Sequence, residues 1–145
     1  MFNRFLIVCS GNICRSPLAA ELLSSILPGS DIRSSGTLAK KSELVGMPAD
    51  PTMQAMAKEL ELDLSQHSAK QLTEDDCEWS DIILVMEPEH ITKVSEISPR
   101  SRGKTFLLGQ WGEGSINDPF QQSEVVYRAS ATQIKSACES WSKKV

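Results

Sequence analysis

The chain has 145 residues, 40% of them apolar, and its 15 basic and 19 acidic side chains give a formal net charge of −4. A chain of this length can bury a hydrophobic core by itself, so we expect a single domain over residues 1–145. The negative balance argues against broad nucleic-acid binding, but it allows an anionic small substrate because the local field of a pocket can oppose the net charge.

The first third of the chain predicts a strand, a helix and a second strand. The segment Arg4–Val8 is a short apolar run of the kind found in buried strands. Ser16 followed by Pro17 resembles an N-cap with proline at the first helical position, and Pro28 with Gly29 should end this helix. Residues 31–35 predict a second strand.

The middle of the chain predicts a loop and two helices. Residues 36–49 show no period and are expected to form a loop. Asp50 with Pro51 should open a helix, because apolar residues then recur at helical spacing. Thr73 with Asp76 three residues later resembles a capping box, which predicts a short further helix.

The last part of the chain continues the alternation of strands and helices. Residues 81–86 contain Ile-Ile-Leu-Val and form the clearest predicted strand, after which Glu87 and Pro88 should open a helix. Residues 104–108 predict a fourth strand and residues 109–120 a loop. The final helix carries apolar side chains along one side: Tyr127, Ala131, Ile134, Cys138 and Trp141.

This alternation predicts an α/β fold, a four-stranded, mostly parallel open sheet with helices on both faces. In such sheets ligands bind at the carboxyl ends of the strands, where the strand order reverses. The segment that follows the first strand is therefore the first candidate for a functional site.

Composition also bears on the compartment. No apolar run approaches the roughly 18 residues of a membrane span, so we expect no membrane partner. The four cysteines have neither the paired spacing of a zinc site nor the density of a disulfide framework. We therefore expect free thiols in a reducing cytoplasm, with no metal.

The segment after the first strand combines residues suited to binding and attacking a phosphate. Cys9 ends the strand, five residues form a tight loop, and Arg15 and Ser16 stand at the mouth of a helix. Such a loop directs several backbone N–H groups, the positive end of the helix dipole and a planar guanidinium at one point. The predicted phosphate-binding residues are Ser10, Gly11, Asn12, Ile13, Cys14, Arg15 and Ser16.

The same electrostatic environment acts on Cys9. Helix N-termini and nearby cations stabilise thiolates, so we expect Cys9 to be ionised at neutral pH and able to attack phosphorus. Gly11 should give the loop either a positive φ or room for a ligand to approach closely.

A leaving oxygen needs a proton donor, and Asp118 in Asn-Asp-Pro-Phe is the best candidate. Asp50, Asp81 and Glu113 remain competitors on the sequence alone.

These motifs resemble the low-molecular-weight protein tyrosine phosphatases, closest to the bacterial branch. Residues 8–17 are similar to the signature loop of that family and residues 117–120 to its general-acid loop, while residues 67–72 and 81–86 resemble two further family segments. The resemblance extends over nearly the whole chain.

The resemblance implies a role for each matching residue. Cys9 would be the nucleophile, Arg15 the phosphate clamp and Asp118 the acid and then the base. Ser16 would donate to the Cys9 sulfur, and a loop network would be formed by Asn12, Ser16, Ser34 and His67. The family commonly has tyrosine where Phe120 stands, so one side of the pocket wall is expected to be Phe120. On the other, aliphatic side the loop after the second strand offers Leu38, Leu44 and Val45, of which Leu38 is the expected wall residue.

The resemblance also implies substrates and partners. The chain would hydrolyse phosphotyrosine proteins through a phosphocysteine, release inorganic phosphate and need no cofactor. Its target would be a bacterial tyrosine autokinase or an exopolysaccharide-export protein.

Two other functions stay open at this point. A thiol-dependent arsenate reductase uses the same fold and loop but needs additional resolving cysteines, and Cys77 and Cys138 are not paired in sequence. A catalytically silent phosphotyrosine-binding module is disfavoured by the intact set of Cys9, Arg15 and Asp118.

Cys14 lies in the same loop as the nucleophile. A thiolate that is accessible is the preferred target of peroxide, and a neighbouring thiol can then form a disulfide with it. We therefore predict a reversible Cys9–Cys14 disulfide that switches the enzyme off.

Overall fold

Four parallel strands form the centre of the computed structural model, which describes residues 2–145. Their order in the sheet is β2-β1-β3-β4, and each neighbouring pair is parallel, so the predicted α/β architecture is confirmed. The strands are β1 (Arg4–Cys9), β2 (Asp31–Gly36), β3 (Ile82–Val85) and β4 (Thr105–Leu107).

Within residues 2–145, five α-helices and one 3₁₀ helix connect and cover the strands. They are α1 (Arg15–Ile26), α2 (Pro51–Glu59), α3 (Glu74–Trp79), α4 (Pro88–Ile97) and α5 (Glu124–Ser142), with the 3₁₀ helix at Pro99–Lys104.

Helices cover both faces of the sheet, as predicted. Alternate residues of β1 point to opposite faces. Phe5 and Ile7 belong to a core formed with α1, α2 and α5, whereas Leu6 and Val8 belong to a second core formed with α3 and α4. The all-apolar strands β1 and β3 are therefore buried on both sides, which is typical of parallel sheets.

The helix starts agree with the capping signals in all but one case. Asp50 caps α2 by accepting from the N–H groups of Thr52 and Met53, and Thr73 accepts from the N–H group of Asp76 at the start of α3. The predicted start of α1 at Ser16 is wrong, because Cys14 is the N-cap and Arg15 is already helical.

Pro17 remains acceptable inside the first turn of α1 since the N–H groups there have no intrahelical partner. The predicted fourth strand, residues 104–108, is shorter in the structure, because Lys104 ends the 3₁₀ helix, which the sequence did not reveal.

The strand order determines where a site can form. From β1 the chain crosses to β2 on one side and later returns to β3 on the other, so the order reverses between β1 and β3. The carboxyl ends of these strands lie side by side. The loop after β1 therefore meets the start of α4, which follows β3.

None of the helices within residues 2–145 is both long and apolar enough to cross a membrane.

Candidate active site

The loop between β1 and α1 is held from outside by its carbonyl groups. The carbonyl oxygens of Cys9 and Ser10 accept from the backbone of Thr37 and Leu38 at 2.9 and 2.8 Å, and that of Ile13 accepts from Asp50 at 2.8 Å. With these carbonyls bonded outward, the amide hydrogens of the loop, other than that of Asn12, which donates to Cys9 Sγ, are available for an anion placed inside it. Such a ring of amides at a helix N-terminus is an anion-binding arrangement.

The sulfur of Cys9 lies among hydrogen-bond donors at the end of β1. The backbone N–H of Asn12 donates to it at 3.3 Å, and the Ser16 hydroxyl lies 3.0 Å away. The side-chain amide of Asn12 donates to Ser16 Oγ at 2.7 Å. The hydroxyl hydrogen of Ser16 is therefore free to point at the sulfur. The Cys9 sulfur thus faces two hydrogen-bond donors, the Asn12 N–H and the Ser16 hydroxyl.

Asn12 is the central residue of the network predicted for the loop. Its φ is +59°, in the left-handed region that asparagine tolerates better than most residues. Its side chain donates to Ser16 and Ser34 and accepts from the Lys70 N–H, while its carbonyl accepts from His67 Nε2 at 2.5 Å. The four predicted network residues are thus brought together, and Lys70 is an additional member.

Gly11 lacks one of the two properties that the sequence predicts for it. Gly11 does not have a positive φ; that conformation occurs at Asn12. Gly11 instead leaves room for Leu44, whose Cδ1 would lie 2.8 Å from a Cβ at residue 11. The other expectation, tolerance of a close ligand approach, stays a prediction, because the neighbour of Gly11 in the structure is a side chain.

Arg15 is held by three groups that fix its orientation. Its side chain is only 1% exposed; Nη1 donates to Glu87 at 2.6 Å and to the carbonyl of Ile116 at 2.7 Å, and Nη2 reaches Ser10 Oγ at 3.4 Å. Nε is buried and has no hydrogen-bond partner among residues 2–145. A buried guanidinium N–H is costly to leave unpaired, so this edge of Arg15 is suited to an anionic ligand.

Sequence reasoning missed Glu87 and His90. The sequence indicates Glu87 only as the start of α4, yet its carboxylate is the ion-pair partner of Arg15. Burial opposes the ionisation of Glu87, but attraction to Arg15 outweighs it and lowers the pKa of Glu87. The position of Glu87 just after β3, at the carboxyl end of a parallel strand, is a signal for a functional residue, but it does not reveal Arg15 as the partner.

His90 connects α4 to the phosphate loop. Its Nδ1 accepts from the Glu87 N–H at 3.1 Å, so Nε2 carries the hydrogen of the neutral ring and donates to Ser10 Oγ at 3.0 Å. Burial, together with the nearby Arg15, lowers the pKa of His90 to about 4. His90 is therefore neutral at pH 7, and its tautomer is fixed by its two partners.

Asp118 lies across the cavity rim from the loop residues. One carboxylate oxygen accepts from the Phe120 N–H at 3.0 Å, and the other is 3.8 Å from Arg15 Nη2. Its side chain is 45% exposed, so it can reach both a bound ester and solvent. This placement brings a carboxylate close to the guanidinium of Arg15, where it would be within reach of a ligand bound by Arg15.

The competing acids have other contacts. Asp50 caps α2 and accepts from the Tyr127 hydroxyl at 2.9 Å. Asp81 accepts from the backbone N–H groups of Asn3 and Arg4 at the amino ends of β1 and β3, away from the phosphate loop. Glu113 accepts from Gln133. Of the four acids, Asp118 alone lines the cavity that contains Cys9.

This cavity has a volume of about 390 Å³. Phe120 and Leu38, the predicted wall residues, both line it and are partly exposed at its rim. Leu44, which the sequence offers as an alternative to Leu38, also lines the cavity, and so does Ser42, which the sequence does not indicate because the loop after β2 shows no period. The cavity thus has a polar, cationic floor and largely apolar sides.

The remaining cysteines differ in their relation to the cavity. Cys14 is buried and lines it, and burial raises the pKa of the Cys14 thiol. Cys77 and Cys138 are buried elsewhere, and all four thiols are free. Within residues 2–145 no group of three or more His, Cys, Asp or Glu side chains is arranged to hold a metal ion.

Comparisons with known proteins agree on one family. Residues 4–145 match the family model described as low molecular weight phosphotyrosine protein phosphatase. The chain is 43% identical to the probable low molecular weight protein-tyrosine-phosphatase AmsI of Erwinia amylovora, covering 97% of this chain and 96% of that protein. It is 41% identical to the low molecular weight protein-tyrosine-phosphatase Wzb of Escherichia coli K12, over 97% of this chain and 94% of that one.

Solved structures show the same similarity. Wzb of Vibrio vulnificus in complex with benzylphosphonate superimposes with a TM-score of 0.97 at 42% identity, covering 100% of both chains. The Erwinia amylovora tyrosine phosphatase AmsI gives a TM-score of 0.95 at 42% identity, covering 100% of this chain and 94% of that one.

Proposed function

Because the chain belongs to the low molecular weight phosphotyrosine protein phosphatase family, we propose that it hydrolyses phosphotyrosine in two steps through a phosphocysteine at Cys9. One observation carries this proposal: the sulfur of Cys9 and the unpartnered Nε of Arg15 belong to residues that line the same cavity. A phosphate in that cavity would pair with the free edge of Arg15 and with the loop amides while its phosphorus faces the sulfur.

In the first step the thiolate of Cys9 attacks phosphorus, and the bond to the tyrosine oxygen breaks. Asp118, protonated at this stage, gives its proton to the leaving oxygen, so tyrosine departs neutral. Arg15 and the loop amides stabilise the charge on the equatorial oxygens during transfer. The products of this step are free tyrosine side chain and phosphocysteine.

In the second step water attacks the phosphocysteine. The Asp118 carboxylate, left by the first step, accepts a proton from this water, and the sulfur–phosphorus bond breaks. The Ser16 hydroxyl and the Asn12 N–H, both in contact with the Cys9 sulfur, stabilise the departing thiolate. Inorganic phosphate leaves, and Asp118 is protonated again for the next cycle.

The depth of the nucleophile supports phosphotyrosine as the substrate class. Cys9 is only 2% exposed, and the cavity above it is lined by Leu38, Leu44 and Phe120. A phosphate at the end of an aromatic ring reaches further than one on a serine, and the ring can pack on these apolar walls. The physiological target that we propose is a phosphorylated tyrosine autokinase or another polysaccharide-export protein, met in the cytoplasm, where four free cysteines stay reduced.

The test compares single variants on matched phosphopeptides. Cys9→Ser should bind inorganic phosphate yet lose nearly all turnover, because a serine hydroxyl stays protonated at neutral pH. The same variant can capture phosphotyrosine proteins for identification. Cys77→Ala, which alters a thiol outside the cavity, is the control and should keep its activity. Turnover near the unmodified level in Cys9→Ser, or equal rates on phosphotyrosine and phosphoserine peptides, would overturn the proposal.

A further inference from the structure

The loop that carries Asp118 is anchored on its N-terminal side. Ile116 is buried; its N–H donates to the Met86 carbonyl at 2.9 Å, and its own carbonyl accepts from Arg15 at 2.7 Å. This fixes the chain two residues before the acid. Pro119 is buried, but the side chain of Asp118 is 45% exposed and Phe120 is 40% exposed, so burial of these two residues themselves does not orient them.

On its C-terminal side the loop is held by Tyr127, the single tyrosine of the chain. The backbone N–H of Gln121 donates to the Tyr127 hydroxyl oxygen at 3.2 Å. Gln121 has a φ of +63°, in the left-handed region that is unfavourable for a residue with a side chain. The hydrogen bond therefore acts on the one strained residue of the turn that follows Asp118.

Tyr127 is in turn connected to the phosphate loop. The tyrosine is 4% exposed, and its hydroxyl donates to Asp50 Oδ2 at 2.9 Å. The backbone N–H of Asp50 donates to the Ile13 carbonyl, inside the phosphate loop, at 2.8 Å. Burial raises the pKa of Tyr127, which favours the protonated hydroxyl that donates to Asp50.

We propose that Tyr127 is a positioning residue for the proton transfer: its hydroxyl joins Gln121 of the acid loop to Asp50, and through Asp50 to the phosphate loop. The distance between the carboxylate of Asp118 and a phosphate beside Arg15 is then set by a continuous row of hydrogen bonds. This inference rests on the proposed role of Asp118. It assigns to Tyr127 no contact with the substrate.

The experiment measures kcat/KM, which reports the first step, for aryl phosphates whose leaving groups span a wide range of acidity. The variants are Tyr127→Phe, which keeps the ring and removes only the hydroxyl, and Asp118→Asn, which removes the acid. The control is Trp141→Phe, which deletes another hydrogen bond of α5, from the indole N–H to the Leu108 carbonyl at 2.8 Å, away from the cavity.

For Tyr127→Phe we expect kcat/KM to fall about tenfold with phenyl phosphate, the effect of one hydrogen bond on the transition state, and less than about twofold with the most acidic leaving groups. Inhibition by inorganic phosphate should not change, because Cys9 and Arg15 keep their contacts. Trp141→Phe should lower thermal stability without changing the dependence on the leaving group.

The outcomes separate the inference from its premise. If Asp118→Asn loses activity equally with all leaving groups, the acid is another residue and the proposed function fails in that part. A different result refutes the positioning role of Tyr127. In that case the loss of kcat/KM in Asp118→Asn depends strongly on the leaving group, but kcat/KM in Tyr127→Phe varies with the leaving group as in the unmodified enzyme or in Trp141→Phe.

Discussion

The ion pair between Arg15 and Glu87 makes a prediction about stability that depends on phosphate. Without a ligand, the buried guanidinium is neutralised mainly by Glu87 at 2.6 Å, since Asp118 is further away at 3.8 Å. Glu87→Gln keeps a hydrogen-bond acceptor at nearly the same place and removes only the charge. The variant therefore isolates the electrostatic contribution of the pair.

The magnitude follows from the burial of the two partners. Removing one member of a fully buried ion pair costs about 3–5 kcal/mol. Exchanging a charged for a neutral acceptor costs about 1–1.5 kcal/mol. Glu87 is 23% exposed and the bond to the Ile116 carbonyl remains, so we expect a loss of about 1–2 kcal/mol in the free energy of unfolding. For a chain of this size the melting temperature should fall by roughly 2–8 °C.

Phosphate should reverse most of this loss. The dianion would supply the negative charge that Arg15 lacks in the variant, and it would no longer be repelled by Glu87. Its affinity should therefore increase in Glu87→Gln, by up to about 5–30-fold if the whole free-energy difference is recovered.

Thermal unfolding with and without inorganic phosphate measures both quantities. Glu139→Gln is the matched control, since it removes an exposed pair with Lys135 on α5 and should change stability by less than about 1 kcal/mol. An unchanged melting temperature in Glu87→Gln, or a smaller gain from phosphate than in the unmodified protein, would refute the electrostatic reasoning.

Three further predictions concern the loop and its surroundings. Burial lowers the pKa of His90 from 6.5 to about 4, so the unfolded chain binds a proton at His90 at a higher pH than the folded chain does. The free energy of unfolding should therefore decline by up to about 3 kcal/mol as the pH falls from 6.5 to about 4. Urea unfolding of His90→Gln should show a smaller decline, and an identical one would contradict the assignment. Gly36→Ala would place a Cβ 2.5 Å from the Ser10 carbonyl and should lower stability by about 1–3 kcal/mol, whereas Gly29→Ala, with open space, should not. After peroxide and then dithiothreitol, Cys14→Ser should recover much less activity than the unmodified protein; equal recovery would end the idea of a protective Cys9–Cys14 disulfide.

The sequence predicted best those elements whose signals are local. The apolar segments of β1 and β3 and the proline-marked starts of α2 and α4 needed only hydrophobic pattern and capping chemistry. The start of α1 was misplaced because Ser16 looks like a cap, whereas its hydroxyl is used by Cys9 and Asn12 instead. A functional contact displaced the expected capping role.

The partners of the loop could not be predicted because they lie far away in sequence. Glu87 is 72 residues from Arg15 and Ile116 is 101 residues from it, and no periodicity connects positions so distant. Only the strand order, with β3 beside β1, brings them together. The sequence implied the parallel sheet but not which strand would be the neighbour of β1.

The start of α4 shows how a local signal can conceal a functional one. Glu87 followed by a proline indicates a helix start, and His90 accepts the N–H of Glu87, so both residues can be explained by the helix alone. Because this helix begins at the carboxyl edge of the sheet, their other polar atoms reach the loop: the Glu87 carboxylate binds Arg15, and His90 Nε2 binds Ser10. A mutation here would consequently alter the helix start and the phosphate loop together. The two contributions separate only by a measurement such as the phosphate dependence of Glu87→Gln, since helix capping is the same with and without a bound anion.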